Sequence, residues 1–307
     1  LHDQILGRIE VNNNELADFI ILRSDKTPTY MLSVVVDDKM MGITDVIRGD
    51  DHLTNTFKQL ILYDLLNWEK PRFSHIPLIH GQEGGKLSKR HGDLSVNQYK
   101  KNKYLPSAVL NYLLRLGWGY GNKEIFTKEE AIKFFSLKGV GKSPAKFDEK
   151  KLENLNANYF KKLSILELER ITAKIYKTKY YKESLFKELL ILFQQRSENI
   201  KDFLKGLKYM LDDKSVILSE DAKNIIKNTN LKIKKLIFSK LSAIEQWDSS
   251  VIEETLKKIA QDNDMKLYNI ASPVRAAITG LTHSPSIFKI VEILGKEKSL
   301  ERIKNSF

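Results

Sequence analysis

Short apolar runs alternate with helix-patterned stretches from residue 19 to residue 79, and after His91 the alternation stops. That change of period constrains the fold more than any single motif does. Phe19-Ile20-Ile21-Leu22 reads as a short buried strand, and Ser24-Asp25-Lys26-Thr27-Pro28 reads as a turn. Residues 30–36 are apolar throughout, so either a strand or a buried helix fits them, with Asp37-Asp38 ending the run. Gly42-Ile43-Thr44-Asp45-Val46-Ile47 reads as a strand that delivers Arg48-Gly49-Asp50-Asp51-His52 at its C-terminal end. Residues 55–68 suit a helix, and Pro71 stops it. Strands alternating with helices predict a mostly parallel sheet with ligands at the strand C-termini. Arg48 and the loop after Ile79 both fall at such ends.

Beyond His91 almost every segment has helical spacing. Val109, Tyr112, Leu113 and Leu116 form one apolar stripe, with Gly117 as its stop. Thr127 and Glu130, Ser164 and Glu167, and Ser250 and Glu253 each stand three apart before apolar residues, the pattern of a capping box. Boundaries near residue 95 and near Tyr159-Phe160 divide the chain into 1–95, 96–160 and 161–307. The expected fold class is therefore α/β followed by all-α.

Lysines are strewn over the polar faces of the helices, and the net charge of the 307 residues is +12. Such an excess suggests a polyanionic partner, nucleic acid first; an ordinary helical bundle with solvated lysines is the alternative, and charge alone does not reject it. No segment is apolar for long enough to cross a bilayer, so a membrane is not expected as a partner. The absence of cysteine excludes disulfides and cysteine-based zinc sites. Leu1-His2-Asp3-Gln4-Ile5 has no signal-peptide character, which with the missing cysteines gives a cytoplasmic expectation. Because the first residue is not Met, the chain is expected to be a fragment or a processed chain.

The densest chemistry lies in residues 84–92, Gly-Gly-Lys-Leu-Ser-Lys-Arg-His-Gly. Glycines give that backbone freedom, and Lys86 and Lys89 can close over a triphosphate and stabilise charge as pyrophosphate leaves. Ser88 can donate a hydrogen bond to the same phosphates. The alternative is a solvated, charged turn. No G-x-x-x-x-G-K-[ST] loop is present. Arg48 suits a carboxylate, which a guanidinium grips through two parallel hydrogen bonds, and a salt bridge to Asp50 or Asp51 is the alternative. Tyr30 offers a hydroxyl at the same sheet edge if the run after it is helical, and taken alone it reads as a partly buried structural tyrosine. His52, His75, His80 and His91 lack metal-ligand spacing and are read as structural or surface residues, so no metal site is expected.

These blocks together resemble a known family. Lys86-Leu87-Ser88-Lys89-Arg90 resembles the KMSKS signature of class I aminoacyl-tRNA synthetases. Residues 23–30, Val35-Val36-Asp37-Asp38, residues 41–52 and Ser272-Pro273-Val274-Arg275-Ala276-Ala277-Ile278-Thr279-Gly280 look like bacterial glutamyl-tRNA synthetase. The resemblance runs from about Gly7 to Phe307. It implies the C-terminal half of a split Rossmann-type catalytic domain, then a stem-contact region, then a helical anticodon-binding domain. It implies activation of L-glutamate with ATP, accompanied by Mg2+, and transfer to the 3′ end of tRNA(Glu), with tRNA(Gln) as a second substrate to be tested. By resemblance Lys86, Ser88 and Lys89 meet ATP, with Asp51 near the nucleotide. Arg48 and Tyr30 hold the glutamate side chain, Arg196 and Arg275 contact the anticodon, and the protein is a monomer.

Two departures bear on the reading. Val34 stands where some members carry an asparagine that contacts the substrate. The HIGH motif of the family is absent from the sequence, so the chain alone is expected to be inactive. A non-catalytic tRNA-binding module or paralogue is the alternative. The tRNA-modifying relative that glutamylates queuosine is disfavoured, because it lacks the long helical C-terminal domain.

Overall fold

The computed structural model describes residues 1–81, 84–85, 87, 95–176, 183–212 and 216–307. The chain forms two compact units, 1–155 and 156–307.

In the first unit β1 (His2–Asp3) and β2 (Gly7–Arg8) make a small antiparallel hairpin. Asp3 shapes its turn: Oδ1 accepts from the backbone N–H of Ile5 at 2.9 Å and of Leu6 at 2.8 Å. This is the short-range acceptor geometry that makes aspartate a turn former. Helix α1 (Tyr30–Met40) resolves the ambiguous apolar run. Thr29 is extended at its N-cap, Ser33 Oγ donates back to the Thr29 carbonyl at 3.1 Å, and the helix continues through Asp37 and Asp38. Only Val35 on it is buried, against Leu62 and Tyr63, with Phe19, Met31, Val34 and Trp68 packed around them.

Strand β3 (Asp45–Gly49), helix α2 (Leu53–Leu65) and strand β4 (Arg72–Ile76) form the expected βαβ crossover. β3 and β4 are parallel, and the register sets Arg48 opposite His75. Asn67, with φ 53°, turns the chain out of α2, a conformation asparagine tolerates better than most residues. The hairpin lies along the other edge of β4, where Gln4 N–H donates to the Phe73 carbonyl at 3.0 Å. Strand β5 (Ile79–His80) pairs in parallel with β6 (Ala145–Lys146). Between them lie α3 (Val96–Lys101), α4 (Pro106–Arg115) and α5 (Lys128–Phe134), the last closed by the predicted Thr127–Glu130 capping box.

The run Phe19-Ile20-Ile21-Leu22 is not a buried strand. Ile20 is 71% exposed, and the segment makes only an isolated bridge from Leu22 to Pro28. It folds back on its own turn, Arg23 N–H to the Thr27 carbonyl, so no neighbouring strand pairs with it.

The division between units falls inside α6 (Glu149–Lys161). The second unit is helical among the described residues: α7 (Ile165–Ala173), α8 (Glu183–Gln194), α9 (Ile200–Leu211), α10 (Glu220–Asn228), α11 (Leu231–Ser242), α12 (Ser249–Asp262), α13 (Leu267–Thr279), α14 (Ile287–Leu294) and α15 (Lys296–Ser306). The Ser164–Glu167 capping box forms as predicted. The third predicted box does not, because Asp248 takes the N-cap of α12 and accepts from the backbone of Ser250 and Val251. Helix α13 is buried around most of its circumference, from Ile270 to Thr279, and α10, α12, α14 and α15 pack on it. A helix apolar on all sides belongs at the centre of a bundle. Gly280 ends it in the left-handed region at φ 74°, where a Cβ would fall on the Ile217 carbonyl.

Candidate functional site

Arg48 projects from β3 into a set of polar side chains supplied by α1, α2 and β4. Its Nη2 donates to Thr56 Oγ1 at 2.6 Å and to Gln59 Oε1 at 2.7 Å. Two longer contacts, both 3.4 Å, run from Nε to His75 Nε2 and from Nη1 to the Tyr30 hydroxyl. The guanidinium carbon lies 5.5 Å from the centre of the Phe73 ring. Thr56 and Gln59 sit three apart on α2, which places both on one face of the helix. Burial draws the Arg48 guanidinium below its ordinary value, with Tyr30 and Asp38 acting the other way.

Among the described residues Arg48 has no carboxylate within ion-pairing distance. The predicted alternative, a salt bridge to Asp50 or Asp51, is not among its contacts. Asp38 acts on it only through the field: burial holds that carboxyl above the usual carboxylate range, and Arg48 partly offsets the effect. Beside Asp38, burial pushes the Tyr63 hydroxyl up to about 12, and it has no hydrogen-bond partner.

A guanidinium has five N–H donors. Nε, both Nη2 hydrogens and one Nη1 hydrogen are engaged by the contacts above, which leaves one Nη1 N–H. The expected grip through two parallel guanidinium bonds is thus not the arrangement present. The second donor is the Tyr30 hydroxyl, on a side chain 44% exposed, which also lies 3.2 Å from His52 Nδ1. Gln59 Nε2 is a third donor, buried and without an acceptor. The Nη1 N–H, the Tyr30 hydroxyl and the Gln59 NH2 can each donate, which suits an acceptor-only ligand such as a carboxylate.

Of the phosphate-loop residues, Lys86, Ser88 and Lys89 lie outside the described residues. The described residues of the same loop make two backbone bonds: Gly81 N–H donates to the Gly85 carbonyl at 2.9 Å, and Leu87 N–H to the Ile79 carbonyl at 2.9 Å. Asp51 follows β3 in a single helical turn, and its Oδ1 occupies the space a Cβ on Gly49 would need. A Cβ at position 49 would have to displace that carboxylate.

The second unit brings Arg196 and Arg275 together on one residue. Arg196 Nη1 donates to the Ser284 carbonyl at 3.0 Å, and Arg275 Nε donates to Ser284 Oγ at 3.0 Å. Burial lowers the Arg275 guanidinium, and the neighbouring Arg196 charge adds to that shift. Arg302 stands nearby, donating to the carbonyls of Ile278 and Tyr209, both at 2.8 Å.

Sequence reasoning missed Asp3, Thr56 and Gln59, and assigned His75 a structural role. The Thr56–Gln59 spacing was the available signal, since two polar residues three apart interrupt the buried face of α2. Among the described residues no group of three His, Asp or Glu side chains is arranged to hold a metal ion, and no helix is long and apolar enough to cross a membrane.

Comparison with known proteins matches residues 1–154 to the tRNA synthetases class I (E and Q), catalytic domain, and residues 159–307 to the anticodon binding domain. A glutamate–tRNA ligase 2 from Zymomonas mobilis is 44% identical over 99% of this chain and 64% of its own length. Its counterpart from Rickettsia akari is 45% identical over 99% of this chain and 66% of its own length. The crystal structure of a glutamate tRNA ligase from Elizabethkingia meningosepticum in complex with its amino acid superposes with a TM-score of 0.86 at 27% identity, covering 100% of this chain and 65% of that one. The chain spans about two thirds of the length of these relatives.

Proposed function

The chain belongs to the class I tRNA synthetases of the E and Q group, and from that premise we propose that it is the part of a glutamate–tRNA ligase that selects the amino-acid side chain and binds tRNA. The observation that carries the reading is Arg48, a half-buried cation held by neutral acceptors and surrounded by unspent donors. A glutamate side-chain carboxylate satisfies the remaining Nη1 N–H and the Tyr30 hydroxyl together. A glutamine carboxamide offers one acceptor, and its NH2 meets donors.

In the complete reaction a glutamate carboxylate oxygen attacks the α-phosphorus of ATP, pyrophosphate leaves, and the glutamyl group passes to the 3′ end of tRNA(Glu). Lys86, Lys89 and Ser88 are proposed to neutralise the triphosphate, delivered with Mg2+, and Asp51 to lie beside the nucleotide. Residues 1–95 would then be the catalytic part, 96–160 the stem-contact region and 161–307 the anticodon-binding domain. In the last, Arg196 and Arg275 are proposed to meet the anticodon loop. A cytoplasmic monomer is the setting we propose, with tRNA(Gln) as the acceptor to be assayed beside tRNA(Glu).

The test is calorimetric titration of the 307-residue chain with L-glutamate and L-glutamine. Glutamate is expected to bind and glutamine to bind far more weakly, with Arg48→Gln abolishing the preference. Equal affinity for the two amino acids overturns the reading. Because no H-I-G-H segment occurs in the chain, glutamate-dependent ATP–pyrophosphate exchange by the chain alone is expected to be negligible. A second reading, a tRNA-binding module without catalysis, draws on the paired arginines at Ser284. It predicts salt-sensitive tRNA binding with no amino-acid selectivity.

A further inference from the structure

Beneath Arg48 lies a carboxylate–histidine pair that the reading above leaves without a task. Both side chains are fully buried, and His75 Nδ1 lies 2.7 Å from Asp3 Oδ2. Buried ionisable groups are costly unless every bonding position is filled. Here they are filled. The same Asp3 Oδ2 accepts the His75 backbone N–H at 3.0 Å, and Oδ1 accepts from Ile5 and Leu6. Burial acts to raise the Asp3 carboxyl, but these hydrogen bonds outweigh it and hold it below the usual range, as a carboxylate.

The hydrogens can then be ordered one by one. A carboxylate only accepts, so His75 Nδ1 carries a proton. Arginine only donates, so His75 Nε2 must accept from Arg48 Nε. Thr56 Oγ1 accepts from Arg48 Nη2, and its own hydrogen has two acceptors in reach, His75 Nε2 at 2.8 Å and the His52 carbonyl at 3.2 Å, the nearer being Nε2. The chain of donors runs in one direction, from Arg48 through Thr56 to His75 and from His75 to Asp3. Phe73 stacks on the imidazole at 6.2 Å and an interplanar angle of 9°, which fixes the ring plane.

We propose that Asp3 and His75 are positioning residues that set the choice between a carboxylate and a carboxamide ligand: Asp3 fixes the Nδ1–H tautomer of His75, the Nε2 lone pair keeps Arg48 and Thr56 in place, and the acceptors around the guanidinium stay occupied. The proposal rests on the reading of Arg48 as the carboxylate-holding residue. In the opposite tautomer an Nε2–H would face the Arg48 Nε–H, and Thr56 would turn its hydrogen from Nε2 to the His52 carbonyl, 3.2 Å away. Arg48 would then withdraw from Thr56 Oγ1 and Gln59 Oε1. Those two oxygens are what a carboxamide NH2 needs, so the same event weakens glutamate and admits glutamine.

The experiment compares Asp3→Asn, Thr56→Val and Arg48→Gln in the 307-residue chain. The readouts are the tautomer of His75 from 15N-histidine NMR, assigned by the signal lost in His75→Gln, and titration with L-glutamate and L-glutamine. The unmodified chain is expected to show the Nδ1–H tautomer. Asp3→Asn is expected to populate Nε2–H and to weaken glutamate by about tenfold to a hundredfold, the range typical of groups that orient a binding residue, while glutamine gains. A merely structural Asp3 would lower both amino acids alike and leave the tautomer as it was. Should Asp3→Asn fail to fold, Thr56→Val decides: it keeps the Nδ1–H tautomer and must still narrow the glutamate–glutamine ratio. An unchanged ratio in the folded variants, with Arg48→Gln abolishing glutamate binding, overturns the positioning role alone. Retention of glutamate binding in Arg48→Gln, or its absence from the unmodified chain, overturns the reading on which the proposal stands.

Discussion

Arg48 in the first unit and the Arg196–Arg275 pair in the second are both cations without a carboxylate partner among the described residues, yet they are held in opposite ways. Arg48 has nearly all its donors assigned to side chains whose own hydrogens are ordered down to Asp3. Arg196 and Arg275 each make one bond to Ser284 and keep most of their donors. The first arrangement presents a small, directional opening. The second presents a field. A guanidinium constrained on all sides can tell a carboxylate from a carboxamide, whereas two like charges set side by side attract any nearby phosphate.

The largest separation between the two regions is expected from replacing arginine by lysine. Arg48→Lys keeps the charge but cannot reach Thr56, Gln59 and His75 together, and it strands their acceptors. A loss of about 2–5 kcal/mol in glutamate binding follows, the usual cost of truncating a buried hydrogen-bonded charge. Arg275→Lys keeps what a phosphate requires, so tRNA affinity should stay nearly unchanged. Calorimetry on the first and filter binding on the second test the contrast; a sensitive Arg275→Lys and a tolerant Arg48→Lys would reverse the assignment.

Next in size is the acid response of the first unit. The folded-state value of Asp3 lies below its unfolded one. Its stabilisation is therefore present above the ordinary carboxylate range, about pH 4, and is lost as pH falls through that range toward the folded value. Asp38 runs the other way, since its folded-state value is raised. Its penalty is felt above the folded value and is relieved as pH falls toward the ordinary one. Thermal melts from pH 7 to pH 3 should show Asp3→Asn flattening the acid decline and Asp38→Asn steepening it. Parallel shifts in the two variants would refute the ordering of charges around Arg48.

How far such a site can be read from sequence depends on the range of its contacts. That Arg48 and Tyr30 share one sheet edge was legible because one stands near a strand's end and the other opens the helix before it. The capping boxes at Thr127 and Ser164 were legible because each is complete within four residues. Asp248 pre-empted the box at Ser250 because its carboxylate also accepts from the first-turn amides. Asp3 was not legible. Its local pattern is that of a turn aspartate, and its partner lies 72 positions away in sequence. The hairpin lying along β4 brings them together, and the parallel register of β3 and β4 adds Arg48. The apolar run at Ile20 misled for the converse reason, because composition proposed a strand and no neighbour existed to pair with it.

Charge removal in the second unit is a smaller effect with a distinctive signature. Arg196→Gln and Arg275→Gln should each reduce the salt slope of tRNA binding by about one, weakening different tRNAs alike if the contact is to phosphate. A variant that instead changes the ratio of tRNA(Glu) to tRNA(Gln), with the slope intact, would move that arginine from the field to base reading. It would make that residue resemble Arg48.

The smallest expected effect comes from Tyr209, which lies beneath the same arginines. Its ring is 5% exposed and packs edge-on against Phe193, with centroids 5.8 Å apart. Burial raises its hydroxyl far above the ordinary tyrosine value, the nearby arginines offset only part of this, and the oxygen has no hydrogen-bond partner. An unpaired buried hydroxyl contributes a desolvation cost and no bond, so its removal should be neutral or stabilising by up to about 1 kcal/mol. Tyr63, whose hydroxyl is likewise unpartnered, should behave the same way in the first unit. Urea denaturation of Tyr209→Phe and Tyr63→Phe, with midpoints unmoved or raised, is the expected result. A destabilised Tyr209→Phe whose tRNA binding also weakens would show that its oxygen supports the cation pair after all. The contrast between a fully ordered arginine and a loosely held pair would then narrow to the identity of their supports.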